Sequence, residues 1–330
     1  MIKVLMFSND GIKRSCHSTI GGGIKRYCHS ICHFFESDGD IVVEECDLDS
    51  QKTLLGDKFN TNELEKLIHF VNPDIIHLNG YTSLIIGQVV RIAYKNGIKI
   101  VYTAHWHPFR TMRLSVLKHI YFNLFIRPSI PLMDTIVTIN DEDTLFFKDL
   151  HKNVYQIPNG LALNFPHIKV SRKANMVLLV AGRLDYRNKG IEHIYHLPVG
   201  EYEIHCVGTG TIPSRSDITM HTNISDGELA ELYSQASLCV VPSRYEAFSY
   251  AALEALYFGT PVLASQGVRI LDYLKDVPYI QSFKYHNFSE FVARVRTTIG
   301  KTFTQKGFLN QFMPSVIKEK YKALYLSVKS

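Results

Sequence analysis

The sequence predicts an α/β protein made of two Rossmann-like domains, each a parallel sheet covered by helices. Two observations carry that expectation. Through the first 160 residues, short apolar runs of strand length alternate with segments of helical period, the pattern of repeated βα units. The alternation lapses over residues 161–175, a polar and prolyl stretch, and starts afresh at Met176. Two such units joined by a linker leave a cleft, and sheets of this kind bind ligands at the carboxyl ends of their strands.

Taken in order, residues 3–8 read as a strand and 24–35 as a helix. Strands at 41–46, 74–78, 99–103 and 134–139 then alternate with helical patterns at 62–70, 84–95, 113–125 and 142–150. The string IPNG at 157–160 closes the first domain, 1–160. After the linker at 161–175, the second domain runs over 176–312, with strands at 176–180, 203–207, 238–241 and 262–264 and a weaker one near Tyr279. A helix at about 314–328, within a terminal segment 313–330, has no strand after it. No internal repeat or low-complexity segment interrupts the pattern.

Composition narrows the class. A hydrophobic content of 46% is ordinary for a globular protein. No run approaches twenty apolar residues, so no membrane span is expected. The opening MIKVLMFSND enters a strand directly, unlike a signal peptide. The six cysteines lack CxxC spacing, which suits reduced thiols in the cytoplasm rather than disulfides or a zinc site. Cys28 and Cys32, one helical turn apart, read as packing residues. The net charge of +5 is uneven: residues 75–133 hold no acid, while Arg91, Lys95, Lys99, Arg110, Arg113, Lys118 and Arg127 all fall there. Such a field favours an anionic partner.

The richest stretch is LCVVPSRYEAFSYAALEALYFGTPVLAS at 238–265. A buried strand breaks at Pro242-Ser243, a polar loop follows, and a helical pattern over 249–258 stops at Gly259-Thr260-Pro261. Backbone N–H groups near residues 247–250 then open toward an anion-sized space. Glu246 sits in the loop and Glu254 in the second helical turn, so two carboxylates bracket a positive dipole end. That suits a ligand carrying both phosphates and sugar hydroxyls. A capping residue and a solvated glutamate would give the same spacing.

Pro242-Ser243, the two glutamates with seven residues between them, and Gly259-Thr260-Pro261-Val262 resemble the signature of the retaining glycosyltransferases of family 4. The resemblance implies the GT-B fold, with the terminal helix crossing back to the first domain. It implies that Glu246 contacts the donor sugar and Glu254 holds the nucleotide ribose, with Ala247, Phe248, Ser249 and Tyr250 around the donor. The family usually has glycines flanking the loop phenylalanine, where this chain has Ala247 and Ser249.

Other segments add candidates. Gly21-Gly22-Gly23 lie between strand and helix without GxGxxG spacing; a plain turn explains them, and the resemblance places Gly22 and Gly23 beside the transferred group. In VLLVAGRLDYRNKGIEHI a buried strand ends in Gly182-Arg183, and Lys189-Gly190 open the next helix. Two cations there could neutralise a leaving diphosphate without a metal, and the resemblance assigns that role to Arg183 and Lys189, with Gly182 beside them. Gly208, in VGTG, resembles the loop that approaches the nucleotide base. His105 ends a strand of the first domain; lone histidines are more often structural, but the family places one here near the donor sugar. His107 adds no credible metal pair without a third ligand. Asp38/Asp40, Asp47/Asp49 and Asp141/Asp143 are accounted for by turns and caps.

The expectation is a cytoplasmic retaining glycosyltransferase that takes a nucleotide diphosphate sugar, UDP-sugar favoured. It would glycosylate a glycan or lipid-linked glycan in bacterial surface polysaccharide assembly. The second domain would bind the donor and the first the acceptor, with no cofactor, no metal and no nucleic acid. Another GT-B activity (nucleotide-sugar epimerase or phosphorylase) and a non-catalytic GT-B subunit remain alternatives. The segment 107–133, with four Lys/Arg, no acid and large apolar residues, further suggests peripheral association with the inner face of the membrane. A helix burying those apolar residues against the sheet is the ordinary alternative.

Overall fold

A computed structural model describes residues 1–8, 23–47, 61–80, 84–105, 107, 109–110, 119–120, 122–161, 168–184, 187–303 and 307–330. They fall into two compact units, one holding the described residues up to Gly160 together with 312–330, the other spanning 161–311.

In the first unit, β1 (Ile2–Ser8), β2 (Ile41–Asp47), β3 (Ile75–Asn79), β4 (Lys99–Ala104), β5 (Thr135–Thr138) and β6 (Val154–Gln156) form a parallel sheet in the order β2-β1-β3-β4-β5-β6. Helices α1 (Gly23–Phe35), α2 (Thr61–Val71), α3 (Leu84–Lys95) and α4 (Asp141–Lys148) connect them. The central strand β3 is buried at every position. Covered on both faces, it buries its polar His77 and Asn79 along with Ile75, Ile76 and Leu78, and shows no in-and-out alternation. Leu5, Phe7, Ile76, Leu78, Ile100 and Tyr102 form the heart of this core, each buried side chain worth about 1.5–3 kcal/mol of transfer free energy.

The second unit repeats the scheme. Its strands are β7 (Met176–Arg183), β8 (Glu203–Thr209), β9 (Ile218–His221), β10 (Leu238–Val241), β11 (Val262–Ser265) and β12 (Ile280–Phe283), all parallel, in the order β12-β11-β10-β7-β8-β9. Helices α5 (Asp226–Gln235), α6 (Tyr250–Tyr257) and α7 (Phe288–Thr298) lie between strands. Arg172, in the segment entering this unit, donates to the carbonyls of Tyr233, Ala236 and Phe258 and to the Thr260 hydroxyl. One guanidinium thus ties off carbonyls at the ends of both α5 and α6, which is the service a planar five-donor group performs best.

The terminal helix α8 (Pro314–Lys329) belongs to the first unit. Proline is tolerated in its first turn, where an N–H would have no partner. Ile317, Tyr321, Leu324, Tyr325 and Val328 are buried, a stripe at helical spacing. The opposite side carries lysines: Lys318 and Lys322 reach Asp38, and Lys329 reaches Asp74.

Four described elements go beyond the sequence expectation: β6, β9, α5 and α7. Two expected helices differ. The pattern at 113–125 lies partly outside the described residues, and its described end is a π turn (Phe122–Ile126) followed by a 3-10 turn (Arg127–Leu132). Pro128 and Pro131 remove the donors that an α-helix would need there. The helix expected to open at Lys189-Gly190 is instead two 3-10 turns, Arg187–Lys189 and Ile191–His196. Gly190 separates them with φ +67°, a left-handed conformation that a helix does not propagate.

Candidate active site

The loops at the carboxyl edge of the second sheet are sewn together by backbone and side-chain bonds. The β10 loop is anchored to the β7 loop: Arg244 N donates to Asn188 O at 2.7 Å, and Asn188 Nδ2 donates to Tyr245 O at 2.8 Å. It is anchored to the β11 loop as well, through Glu246 N to Gly267 O at 3.1 Å and Arg269 N to Glu246 O at 2.9 Å. The Ser265 hydroxyl donates to Ser243 O. With its backbone held on both sides, Glu246 places its carboxylate against Lys189, whose Nζ donates to Oε1 at 2.7 Å. Ser243 Oγ donates to the same oxygen at 2.5 Å. Both charged side chains are only about a fifth to a quarter exposed (25% and 19%), so their attraction is stronger than that of a surface pair.

Gly190 explains why Lys189 is held so closely. A Cβ at that position would run into the Pro242 carbonyl oxygen, and the φ is unfavourable to other residues. The β7 loop therefore passes directly under the start of the β10 loop. Gly208 is a comparable case at the end of β8, with φ +152° and no room for a Cβ beside the Ala181 carbonyl oxygen. Its need for glycine is met by the approach of β7. Thr209 Oγ1 donates to Gly182 O at 2.8 Å, which leaves Gly182 and Arg183 exposed at the strand end.

Ser249 caps α6, its Oγ accepting from Ala252 N at 3.3 Å. Ala247, Phe248 and Ser249 are buried, and Phe248 packs edge-on to Tyr250 and Tyr273. Glu254 is buried too, and Tyr233 of α5 donates to its Oε2 at 3.0 Å. Tyr233 itself stacks on Phe258 at an interplanar angle of 9°, so the phenol has little freedom to swing away.

In the first unit, His105 follows β4. Its Nε2 meets Asn79 Oδ1 at 3.1 Å, and the Tyr27 ring stands edge-on at 4.5 Å. Burial pushes the imidazole pKa down to about 3. Behind it, His77 is held between Tyr325 Oη and Thr103 Oγ1, each at 2.7 Å, and Tyr27 Oη donates to Tyr321 Oη at 2.5 Å. Gly23 starts α1 with open space where a Cβ would stand. Gly22 lies outside the described residues.

Among the predicted residues, then, Lys189 and Glu246 are brought into contact, and Ala247, Phe248, Ser249, Tyr250 and Glu254 follow on the same loop and helix. Arg183, Gly182 and Gly208 sit on neighbouring strand ends of that sheet. His105 and Gly23 belong to the first unit. Ser243, Asn188, Tyr233 and Asn79 were missed by sequence reasoning. Ser243 and Asn188 sit in the quoted strings, but Tyr233 and Asn79 gave no local signal.

Two aspartate strings have structural work. Asp38 Oδ1 accepts from the Asp40 and Ile41 amides, and Asp143 Oδ2 accepts from Asn140 Nδ2 at 2.6 Å in the cap of α4. Asp49 lies outside the described residues. Among the described residues, no group of three or more His, Cys, Asp or Glu could hold a metal ion.

Comparisons with known proteins align with this geometry. The model of the glycosyl transferases group 1 matches residues 213–278, which include both glutamates. The model of glycosyltransferase family 4 matches residues 33–165, which include His105. The MMP alpha-(1->4)-mannosyltransferase of Mycolicibacterium hassiacum is 29% identical over 159 residues, 42% of this chain and 37% of that protein. An uncharacterized 41.2 kDa protein in the cps region of Klebsiella pneumoniae is 22% identical over 242 residues, 64% of this chain and 65% of that protein. The chain thus spans less than two thirds of these curated relatives. Among solved structures, Anabaena HepE in complex with UDP-glucose superposes with a TM-score of 0.69 at 13% identity, over 99% of this chain and 100% of that one. Two parallel six-stranded sheets with this likeness give the chain the GT-B fold, and glycosyltransferase models match part of each unit, family 4 in the first and the glycosyl transferases group 1 in the second.

Proposed function

We propose that the chain is a retaining glycosyltransferase that moves a sugar from a nucleotide diphosphate donor, with UDP-sugar favoured, to a glycan or lipid-linked glycan. The carrying observation is the Lys189–Glu246 pair on the carboxyl edge of the second sheet. An ammonium group has three donors, so Lys189 can keep Glu246 while giving the others to a diphosphate. Glu246 is then fixed beside the phosphates, where the attached sugar must lie. Arg183 supplies a second cation for the leaving group, and Glu254, oriented by Tyr233, receives the ribose hydroxyls. The first unit takes the acceptor, and the family resemblance gives His105 a role toward the donor sugar. The relative in a cps region and the UDP-glucose complex of HepE support polysaccharide synthesis and a UDP donor respectively.

The test is slow hydrolysis of UDP-sugars by the purified chain, with transfer to added glycan acceptors as the second arm. Release of UDP that disappears in Glu246→Gln supports the reading. Binding of UDP-sugar without any turnover across a donor and acceptor panel would leave a non-catalytic subunit as the better account.

We further propose a cytoplasmic location with peripheral attachment to an anionic membrane. Ile120, Leu124 and Phe125 are 48%, 64% and 44% exposed, beside the exposed Arg127 and inside the acid-free span. Among the described residues no helix is long and apolar enough to cross a membrane. Co-sedimentation with phosphatidylserine-containing vesicles, lost at high salt and in Leu124→Ser, is the expected result. Protein that stays in the supernatant at low salt refutes the attachment.

A further inference from the structure

We infer that Asn79 is a positioning residue that holds His105 as the neutral tautomer protonated on Nε2, leaving Nδ1 as the ring's acceptor. The use made of that acceptor rests on the proposed glycosyl transfer; the tautomer itself does not.

The inference follows from donors and acceptors alone. Asn79 is fully buried at the end of β3. Its Nδ2 donates to the carbonyl oxygens of Phe7 at 3.3 Å and His77 at 3.4 Å. Carbonyl oxygens only accept, so the amide must aim its NH2 at them; the flipped orientation would set oxygen against two oxygens. That fixes Oδ1 toward His105 Nε2, 3.1 Å away. An amide oxygen also only accepts, so Nε2 must carry the hydrogen. In a neutral ring Nδ1 is then bare.

The surroundings keep the ring neutral. The described groups that face it are Asn79 and His77 from β3 and Tyr27 from α1, and Tyr321 of α8 meets Tyr27 behind it. None of these is charged near neutral pH: burial pushes His77 to about 3 and raises both tyrosines. His105 therefore offers neither a proton nor a positive charge to a departing diphosphate. It offers a lone pair, which repels phosphate oxygens and accepts from a hydroxyl.

The experiment is a two-bond 1H–15N correlation spectrum of the full chain labelled with 15N-histidine, from about pH 5.5 to about pH 8. His105 is assigned by its loss in His105→Gln. The expected result is an Nε2–H ring that does not titrate across this range, and loss of that pattern in Asn79→Leu. Tyr27→Phe, which removes a different buried hydrogen bond of the same neighbourhood, should leave the pattern unchanged. An Nδ1–H ring, a titrating ring, or an equal change in both variants overturns the inference. Should Asn79→Leu fail to fold, the wild-type spectrum still decides the tautomer. A tautomer as inferred, lost in Asn79→Leu with donor turnover unchanged, upholds Asn79's hold on the ring and refutes the catalytic reading of His105 instead. The expected kinetic effect of Asn79→Leu is a fall in turnover of roughly tenfold or more.

Discussion

Lys189 and Glu246 lie 57 residues apart in sequence and 2.7 Å apart in space. Their types and their places beside Gly190 and Pro242 were legible in the sequence; their contact was not, because nothing local encodes which strand ends become neighbours. The same holds for Tyr233, which reaches Glu254 from a different helix. Two predictions belong to these side chains. Lys189→Ala and Arg183→Ala should each lower turnover by roughly a hundredfold or more, the range for removing an electrostatic stabiliser. Steady-state kinetics with the UDP-sugar measures it, and near-wild-type turnover would remove the residue from the mechanism. The glutamates should separate by calorimetry with UDP alone. Glu254→Gln should weaken nucleotide binding, since a ribose contact needs no sugar. Glu246→Gln should spare it while impairing transfer. Equal losses would defeat the assignment.

Elements were read best where their apolar pattern was long. β3 and β4, buried along nearly all their length, stood out by their Ile, Val, Leu and Tyr content, and α1 and α8 as stripes. Short edge strands carried too few residues for any period: β6 has three and β9 four. α5 carried one signal, the capping box of Ser225 and Glu228 at its start, but its weak amphipathic pattern hid it. The 3-10 turns around Gly190 could not be foreseen, because a left-handed glycine looks in sequence like any other loop glycine. They define a prediction at this scale. Gly190→Ala should destabilise the chain by about 1–3 kcal/mol, and should impair turnover although no ligand-facing side chain is altered. Thermal melts with donor kinetics check both; a variant with unchanged stability and turnover would show that the β7 loop tolerates another path.

At the scale of the molecule, two parallel sheets followed from the twice-repeated alternation, with β6 and β9 missing from the expectation, whereas the destination of α8 came from the family resemblance. Its contacts span up to 294 residues, beyond the reach of any local pattern. Burial alone would raise the Asp38 carboxyl, but the Asp40 amide, Lys318, Lys322 and the Ile41 amide outweigh it and hold the group well below the usual carboxylate range. The Lys3 amide, then Lys329, lowers Asp74. A carboxyl depressed in the folded chain contributes stability above its unfolded value near 4, and loses it as pH falls toward the folded value. Between about pH 5 and about pH 3 the melting temperature should therefore fall more steeply in the wild type than in Asp38→Asn. Parallel curves would mean that these lysines add nothing to the hold on α8.

The attachment of α8 to the first unit also sets an order of events during synthesis. The ribosome makes β1 through β6 early, yet Tyr321 and Tyr325, which close over Tyr27 and His77, emerge only after residues 161–311. Nascent first units must wait with that polar pocket uncovered while an entire second unit is translated. Domains ordinarily fold in turn as they leave the ribosome; here the first to appear is the last to be finished.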